Sequence, residues 1–184
     1  MQQGTVLADS TRLSLTFKRL SHQLIENHGD FSNSCLIGIQ PRGSALSTRL
    51  VQELAELNVT NIQHGKLDIT FYRDDYKARS KPLSASVTEM DFIVEGKKVI
   101  LVDDVLYTGR TVTAALTALL DYGRPDSVEL LILVDRRFNR EVPIKADYTG
   151  IFLDAPYKEY VRVEWANIEG IDQVLLFPAK DEEI

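Results

Sequence analysis

Residues 97–111 read K-K-V-I-L-V-D-D-V-L-Y-T-G-R-T. Within them, 99–102 is a short apolar, β-branched run with no alternation in polarity, the pattern of a strand covered on both faces in a parallel sheet. Two carboxylates, Asp103 and Asp104, stand at its carboxyl end. Val105, Leu106 and Tyr107 lead into Thr108, Gly109, Arg110 and Thr111, where hydroxylated side chains surround a glycine that lets backbone N–H groups converge. A helical pattern over 112–120 follows at once. This sequence of strand, acids, glycine turn and helix start predicts a phosphate cradle. Like charges keep the two acids off the phosphate itself, so their natural partners are hydroxyl groups or a divalent metal beside it. A ligand with one phosphate and a neighbouring diol, a ribose 5-phosphate, fits.

Upstream, 34–39 reads as another buried strand, broken by Gln40-Pro41-Arg42-Gly43 before a helix with Leu46, Leu50, Leu54 and Leu57 as its stripe. Strand ends of a parallel sheet face one crevice, so Arg42 is expected to reach a ligand held by the Thr108 turn. A guanidinium beside Gly43 suits a pyrophosphate, which needs bidentate donors and close backbone approach. The alternation in L-D-I-T-F-Y predicts a third strand over 66–72. Residues 73–82 are charged and unpatterned, a loop of the kind that closes over a charged substrate and shields pyrophosphate from water.

Downstream, a helix is predicted over 111–122, with Val112, Ala115, Leu116 and Leu119 toward the sheet and Gly123 and Pro125 as its stop. A buried strand over 128–134 ends in Asp135-Arg136, the expected wall of a base pocket. Short β segments are predicted at 148–153, 161–165 and 174–177. At the other end of the chain, Leu13, Phe17, Leu20 and Leu24 mark an amphipathic helix over 10–27, capped by Asp9 or Ser10 and stopped by Gly29. Its polar face carries Arg12, Lys18, Arg19 and His22. Alternating strands and helices with right-handed crossovers make an α/β protein with a doubly wound parallel sheet.

At 184 residues the chain suits one domain, 44% hydrophobic and 26% charged, with no apolar run of membrane-spanning length. No basic start leads into an apolar block, and the lone Cys35 excludes an internal disulfide framework, so a cytoplasmic protein with a buried, inert thiol is expected. A net charge of −6 argues against binding nucleic acid with the whole surface; no DNA and no membrane partner is expected, and a local basic patch stays open.

Over 97–111 the chain resembles the type I phosphoribosyltransferases, whose signature is an apolar strand, two acids and a T-G-x-T loop binding phosphoribosyl pyrophosphate. The longer string V-D-D-V-L-Y-T-G-R-T, with G-I-Q-P-R-G, L-D-I-T-F-Y-R-D-D and P-I-K-A-D-Y in order, resembles the PyrR family of pyrimidine-operon attenuators with uracil phosphoribosyltransferase activity. The resemblance implies a single domain over 1–184, with a flexible loop at 73–88 and a hood and base-pocket region at 135–165. It implies transfer of a phosphoribosyl group to uracil, giving UMP and pyrophosphate, with Asp103, Asp104, Arg42 and Arg73 as catalytic residues. Arg42, Gly43 and residues 103–111 (Asp103, Asp104, Val105, Leu106, Tyr107, Thr108, Gly109, Arg110, Thr111) would bind the donor, with Arg79 and Lys81 as further cations for its pyrophosphate. Mg²⁺, held by Asp103 and Asp104 directly or through water, would offset the donor's charge. It also implies leader mRNA as a partner of Lys18, Arg19 and His22. Residues 135–156 depart from the family pattern, being one residue longer and lacking its histidine and its threonine-serine pair, and Arg137 and Arg140 are expected to substitute electrostatically. Two alternatives stay open: a nucleotide-sensing attenuator with little catalysis, and transfer to another base such as a purine. A homo-oligomer, dimer or tetramer, is expected, and Phe152, Tyr157, Tyr160 and Trp165 suit either core or interface.

Overall fold

The computed structural model describes residues 4–74, 85–155 and 159–178. In chain order it contains β1 (Thr5–Ala8), α1 (Ser10–His28), β2 (Ser34–Ile39), α2 (Arg42–Glu56), β3 (Gln63–Leu67), β4 (Lys98–Leu106), α3 (Arg110–Leu119), β5 (Ser127–Arg136), β6 (Tyr148–Leu153), β7 (Tyr160–Glu164), α4 (Ala166–Glu169) and β8 (Gln173–Phe177). Five strands form a parallel sheet in the order β3-β2-β4-β5-β6, so the 97–111 stretch supplies its middle strand.

The apolar run of β4 shows no polar alternation because each face has its own core. Ile100 and Val102 pack among the leucines of α1 and α2, including Leu20, Leu24, Leu46, Leu50 and Leu54. Val99 and Leu101 face the other way, onto Val112, Ala115, Ala118 and Leu119 of α3. Helices thus cover both faces, and the chain winds in opposite directions from β2 and β4. The crevice between the carboxyl ends of those two strands is the switch point where doubly wound sheets bind ligands.

α1 begins where expected. The Asp9 carboxylate accepts the Arg12 N–H at 2.8 Å, and Gly29, with φ at 57°, closes the helix. Cys35 is fully buried, and burial pushes its thiol up to about 11, which keeps it protonated and unreactive.

Three expectations shift. The third strand is 63–67, not 66–72: the Asp68 carboxylate turns back to accept the Thr70 hydroxyl at 2.7 Å, and a 3₁₀ turn follows over Thr70–Tyr72. β4 extends beyond 99–102 to Leu106, so both acids lie inside the strand's last turns of pleat rather than after it. Finally, the expected 135–165 hood straddles two sheets. β6 belongs to the main sheet, whereas a separate antiparallel sheet, β1-β8-β7, joins the first described strand to the last. Residues 73–88 are described only at 73–74 and 85–88; Arg79, Lys81 and Tyr157 lie outside the described residues.

Candidate active site

The centre of the crevice is the Asp103–Asp104 pair. Asp103 is 7% exposed, and its Oδ1 accepts the Asp104 N–H at 2.9 Å. Burial, and then the charge of Asp104, hold its carboxyl well above the ordinary range, with Arg73 opposing. Burial also raises Asp104, and Arg42 opposes it most. Gly43 makes this arrangement possible: a Cβ there would collide with the Val102 carbonyl oxygen and lie 2.9 Å from Asp103 Cα. The glycine therefore seats the first turn of α2 on β4 and brings the two strand mouths together.

Two adjacent carboxylates that resist ionisation make a hard, oxygen-rich seat whose charge a divalent cation would offset. No group of three or more His, Cys, Asp or Glu suited to metal occurs among the described residues, so most of the ligands to such a cation would come from substrate oxygens and water.

The turn after β4 has the geometry of an anion site. Gly109 is left-handed, with φ at 92°, and serves as N-cap of α3 without any side-chain capping hydrogen bond. The Arg110 N–H donates to Thr108 Oγ1 at 3.4 Å, and the N–H groups after it face the open end of the helix, where partial positive charge accumulates. Residues 105–112 and Arg73 enclose about 270 Å³ there. Behind the turn, the Thr108 carbonyl accepts the N–H groups of Glu141 and Val142, and Val142 Cγ2 would lie 2.5 Å from any Cβ at 109. Gly109 is thus required both by its conformation and by the packing behind it. Arg110 contributes backbone only: its guanidinium turns away to Asp74 at 2.8 Å and Glu141 at 3.1 Å.

A second cavity of about 320 Å³ adjoins the first, lined by Arg42, Thr70, Asp103 and Asp104, and the two share Arg73, Val105 and Thr111. Arg73 therefore lines both. Arg42 lines the second cavity but does not extend freely into it. Its Nη1 donates to the Val163 carbonyl at 2.5 Å and its Nη2 to Glu169 Oε1 at 3.0 Å, both on the small sheet's side of the molecule.

The expected base-pocket residues, Asp135 and Arg136, stand at the end of β5. They are 6% and 4% exposed and line neither of the two cavities above; Asp135 lines a separate one of about 710 Å³ with Tyr148, Thr149 and Phe152. Asp135 accepts Arg140 Nη2 at 2.5 Å, Arg140 Nη1 donates to the Tyr107 carbonyl, and the Arg136 guanidinium lies 4.1 Å from the Tyr107 ring centroid. All three brace Tyr107 and hence the phosphate turn. Arg140 thereby has both terminal nitrogens engaged within the chain. Arg137 makes a bidentate pair with Asp154, at 2.7 and 2.5 Å.

On α1, Lys18, Arg19 and His22 are exposed on one face. Arg19 reaches across to the carbonyls of Thr149 and Gly150, at 3.2 and 2.6 Å. Trp165 is fully buried and belongs to the core, while Phe152 and Tyr160 are exposed. Sequence reasoning missed the bracing roles of Tyr107, Arg140, Glu141 and Val142, since no local pattern joins positions 107 and 140.

Acids beside a phosphate turn, at the switch point of such a sheet, define a phosphoribosyltransferase, and residues 5–164 match the phosphoribosyl transferase domain. Solved structures agree at the level of fold: the hypoxanthine phosphoribosyltransferases of Trypanosoma cruzi (TM-score 0.70, 16% identity, 96% of this chain and 97% of that one) and Staphylococcus aureus (TM-score 0.64, 20% identity, 98% and 94%) superpose on it. More specifically, the chain belongs to the PyrR family. It is 44% identical over 177 residues to the Bifunctional protein PyrR of Actinobacillus pleuropneumoniae, covering 96% of this chain and 98% of that protein. It is 43% identical over 180 residues to that of Deinococcus radiodurans, covering 97% of each.

Proposed function

We propose that this protein transfers the phosphoribosyl group of phosphoribosyl pyrophosphate to uracil, forming UMP and pyrophosphate, and couples uridine-nucleotide binding to control of pyrimidine genes through leader mRNA. The observation that carries the catalytic half is the pair of adjoining cavities with Asp103 and Asp104 beside the phosphate turn. The 5-phosphate sits on the N–H groups at the start of α3, with the Thr108 and Thr111 hydroxyls as further donors. Asp103 and Asp104 face the ribose hydroxyls and stabilise the positive charge that develops on the ring as the C1–oxygen bond lengthens. Arg73, between the cavities, and Arg42, at the rim of the second, neutralise the departing pyrophosphate. No covalent nucleophile is needed: positioning and electrostatics do the work. Asp103 and Asp104 would hold Mg²⁺, which when bound adds charge neutralisation at the pyrophosphate.

The deciding experiment is a base panel with labelled donor. Uracil is expected to be used in preference to hypoxanthine and guanine; equal or better use of a purine overturns the assignment of the base. For the regulatory half, the exposed face of Lys18, Arg19 and His22 is the RNA side. Gel shift on a uridine-responsive leader RNA across a salt series tests it, and absence of binding at low salt rejects it. Among the described residues no helix is long and apolar enough to cross a membrane, and we place the protein in the cytoplasm. Phe152 and Tyr160 are exposed and available for a homo-oligomer contact.

A further inference from the structure

α2 carries two arginines seven residues apart, on one face, and the segment after β7 grips both. Arg49 Nη1 donates to Asp172 Oδ2 at 2.7 Å, and its guanidinium lies 4.9 Å from the Trp165 ring centroid. Arg42 donates to Val163 O and Glu169 Oε1. The grip is anchored on its own side: the second Glu169 oxygen accepts the Trp165 N–H at 2.7 Å, and the second Asp172 oxygen accepts the Ala166 N–H at 2.7 Å. Trp165 is wedged between Arg49 and Phe17, whose ring centroid is 6.2 Å away.

The two attachments differ in one respect. Arg49 and Asp172 are equally shielded, at 22% side-chain exposure each, and Arg49 lines a different cavity from the one that contains the acids. Arg42 is 37% exposed, lines the cavity that contains Asp103 and Asp104, and is the largest opponent of Asp104's burial. Its two engaged nitrogens are the fork that would otherwise take two oxygens of a pyrophosphate. Glu169 therefore occupies the guanidinium that the ligand needs.

We propose that Glu169 is a positioning residue by which α4 latches Arg42, and that the pyrophosphate of the donor displaces it, so that donor binding frees α4 from Arg42 and shifts the neighbouring Trp165, while the Arg49–Asp172 pair keeps the segment attached to α2. This deepens the proposed function and rests on Arg42 serving the pyrophosphate side. Glu169 opposes donor binding by competing for Arg42, which costs affinity in the free protein and nothing once Arg42 has transferred. Such a competitor raises KM for the donor and leaves kcat alone.

Glu169→Gln isolates the effect, because the amide oxygen still accepts the Trp165 N–H while the charge that holds Arg42 is gone. Trp165 is the single tryptophan of the chain, so its emission reports on the segment directly. Wild type, Glu169→Gln and Arg42→Ala are titrated with magnesium phosphoribosyl pyrophosphate, by calorimetry and by Trp165 emission, alongside steady-state kinetics. Glu169→Gln is expected to bind the donor about two- to fivefold more tightly, as the loss of one partly exposed ion pair allows. KM should fall by the same factor at constant kcat, and the emission change on binding should be smaller than in wild type. Glu169→Ala, which removes the pair without introducing an amide, should tighten binding likewise if the Gln variant melts early. Donor affinity equal to or weaker than wild type in both Glu169 variants, with Arg42→Ala weakened, overturns the latch alone. Unchanged affinity in Arg42→Ala overturns the pyrophosphate role of Arg42 and the latch with it.

Discussion

The phosphate turn and the small sheet are linked through Arg42, which lines the crevice and donates to β7, yet they are encoded in opposite ways. The turn is local: strand, acids, glycine and helix start follow one another within residues 97–111, and each is needed for what the next one does. The small sheet is assembled from the two ends of the chain, with Thr5 opposite Leu176 and Val163 opposite Val174. The local region carries chemistry and tolerates little change, because buried charge and tight backbone approach leave no slack. The assembled region carries attachment, through pairs such as Arg49–Asp172 and Arg42–Glu169, and its effects should be graded.

The largest effect should come from the acids. Asp104→Asn keeps the shape and removes the charge that stabilises the developing positive ring. Turnover is expected to fall about 10²–10³-fold, the range for losing one preorganised electrostatic group, with donor affinity falling less. Full turnover in a folded Asp104→Asn protein breaks the claim that the turn holds the chemistry. A change at the attachment of the small sheet, such as Arg49→Ala on α2, should leave turnover within about tenfold by the same measure.

Next in size is Gly43→Ala. The added methyl meets the Val102 carbonyl and Asp103 Cα, which are backbone and cannot move aside as a side chain could. Overpacking of this kind costs about 1–3 kcal/mol, and here the strain falls on the strand that positions Asp103. Chemical denaturation should show the loss, and activity should fall further than stability alone explains. A Gly43→Ala protein with wild-type stability would mean that α2 is not seated on β4 as described.

Much of the first region was legible and little of the second, for reasons seen in particular residues. Val99 to Val102 announced a two-faced strand because side chains on both sides are apolar; its extension to Leu106 was hidden by Asp103 and Asp104, which continue the ladder for reasons of function rather than propensity. The β3 segment Q-H-G-K-L looks polar because it is the edge strand of the sheet, with Lys66 paired outward to Glu89 at 2.7 Å. Ile69 and Phe71 imitate a strand, yet the Asx turn at Asp68 overrides their alternation. Four residues at Thr5–Ala8 hold no pattern of their own and become a strand only against β8. At the site, Arg42 was placed correctly at a strand mouth, but its partner Glu169 lies 127 positions away, beyond the reach of any motif.

A smaller effect separates the acids by pH. Asp103 has an ordinary value of 3.8 and is raised in the folded state by burial and by Asp104. Between the two values the folded protein keeps a proton that the unfolded chain has released. Stability therefore falls as pH rises through that window, by at most about 1.4 kcal/mol per pH unit for one proton. Asp103→Asn removes the penalty, so it should melt above wild type at neutral pH, with the gap closing on acidification. A gap that stays constant or widens at low pH would show that the pair carries no burial penalty. No matching pH dependence is expected from the small sheet, where Glu169 and Asp172 are lowered by hydrogen bonds and arginine partners and their stabilisation is lost only when pH falls through the low carboxylate range.

The smallest effects belong to the α1 face, and they extend the contrast to a third surface that is neither buried chemistry nor attachment. Lys18 is exposed, whereas Arg19 spends its guanidinium on two β6 carbonyls and helps seat α1 on the sheet at Gly150. Lys18→Ala should change stability by no more than about 0.5 kcal/mol and leave turnover unchanged. On leader RNA it should weaken binding at every sequence tested and reduce the slope of log affinity against log salt by about 0.7–1, the signature of one lost phosphate contact. Arg19→Ala should weaken RNA binding too, but together with a loss of about 1 kcal/mol in stability, the net worth of its exposed hydrogen bonds to the two carbonyls. Equal stability in the two variants would place Arg19 on the free surface with Lys18, and an unchanged salt slope for Lys18→Ala would move the RNA side away from α1 altogether.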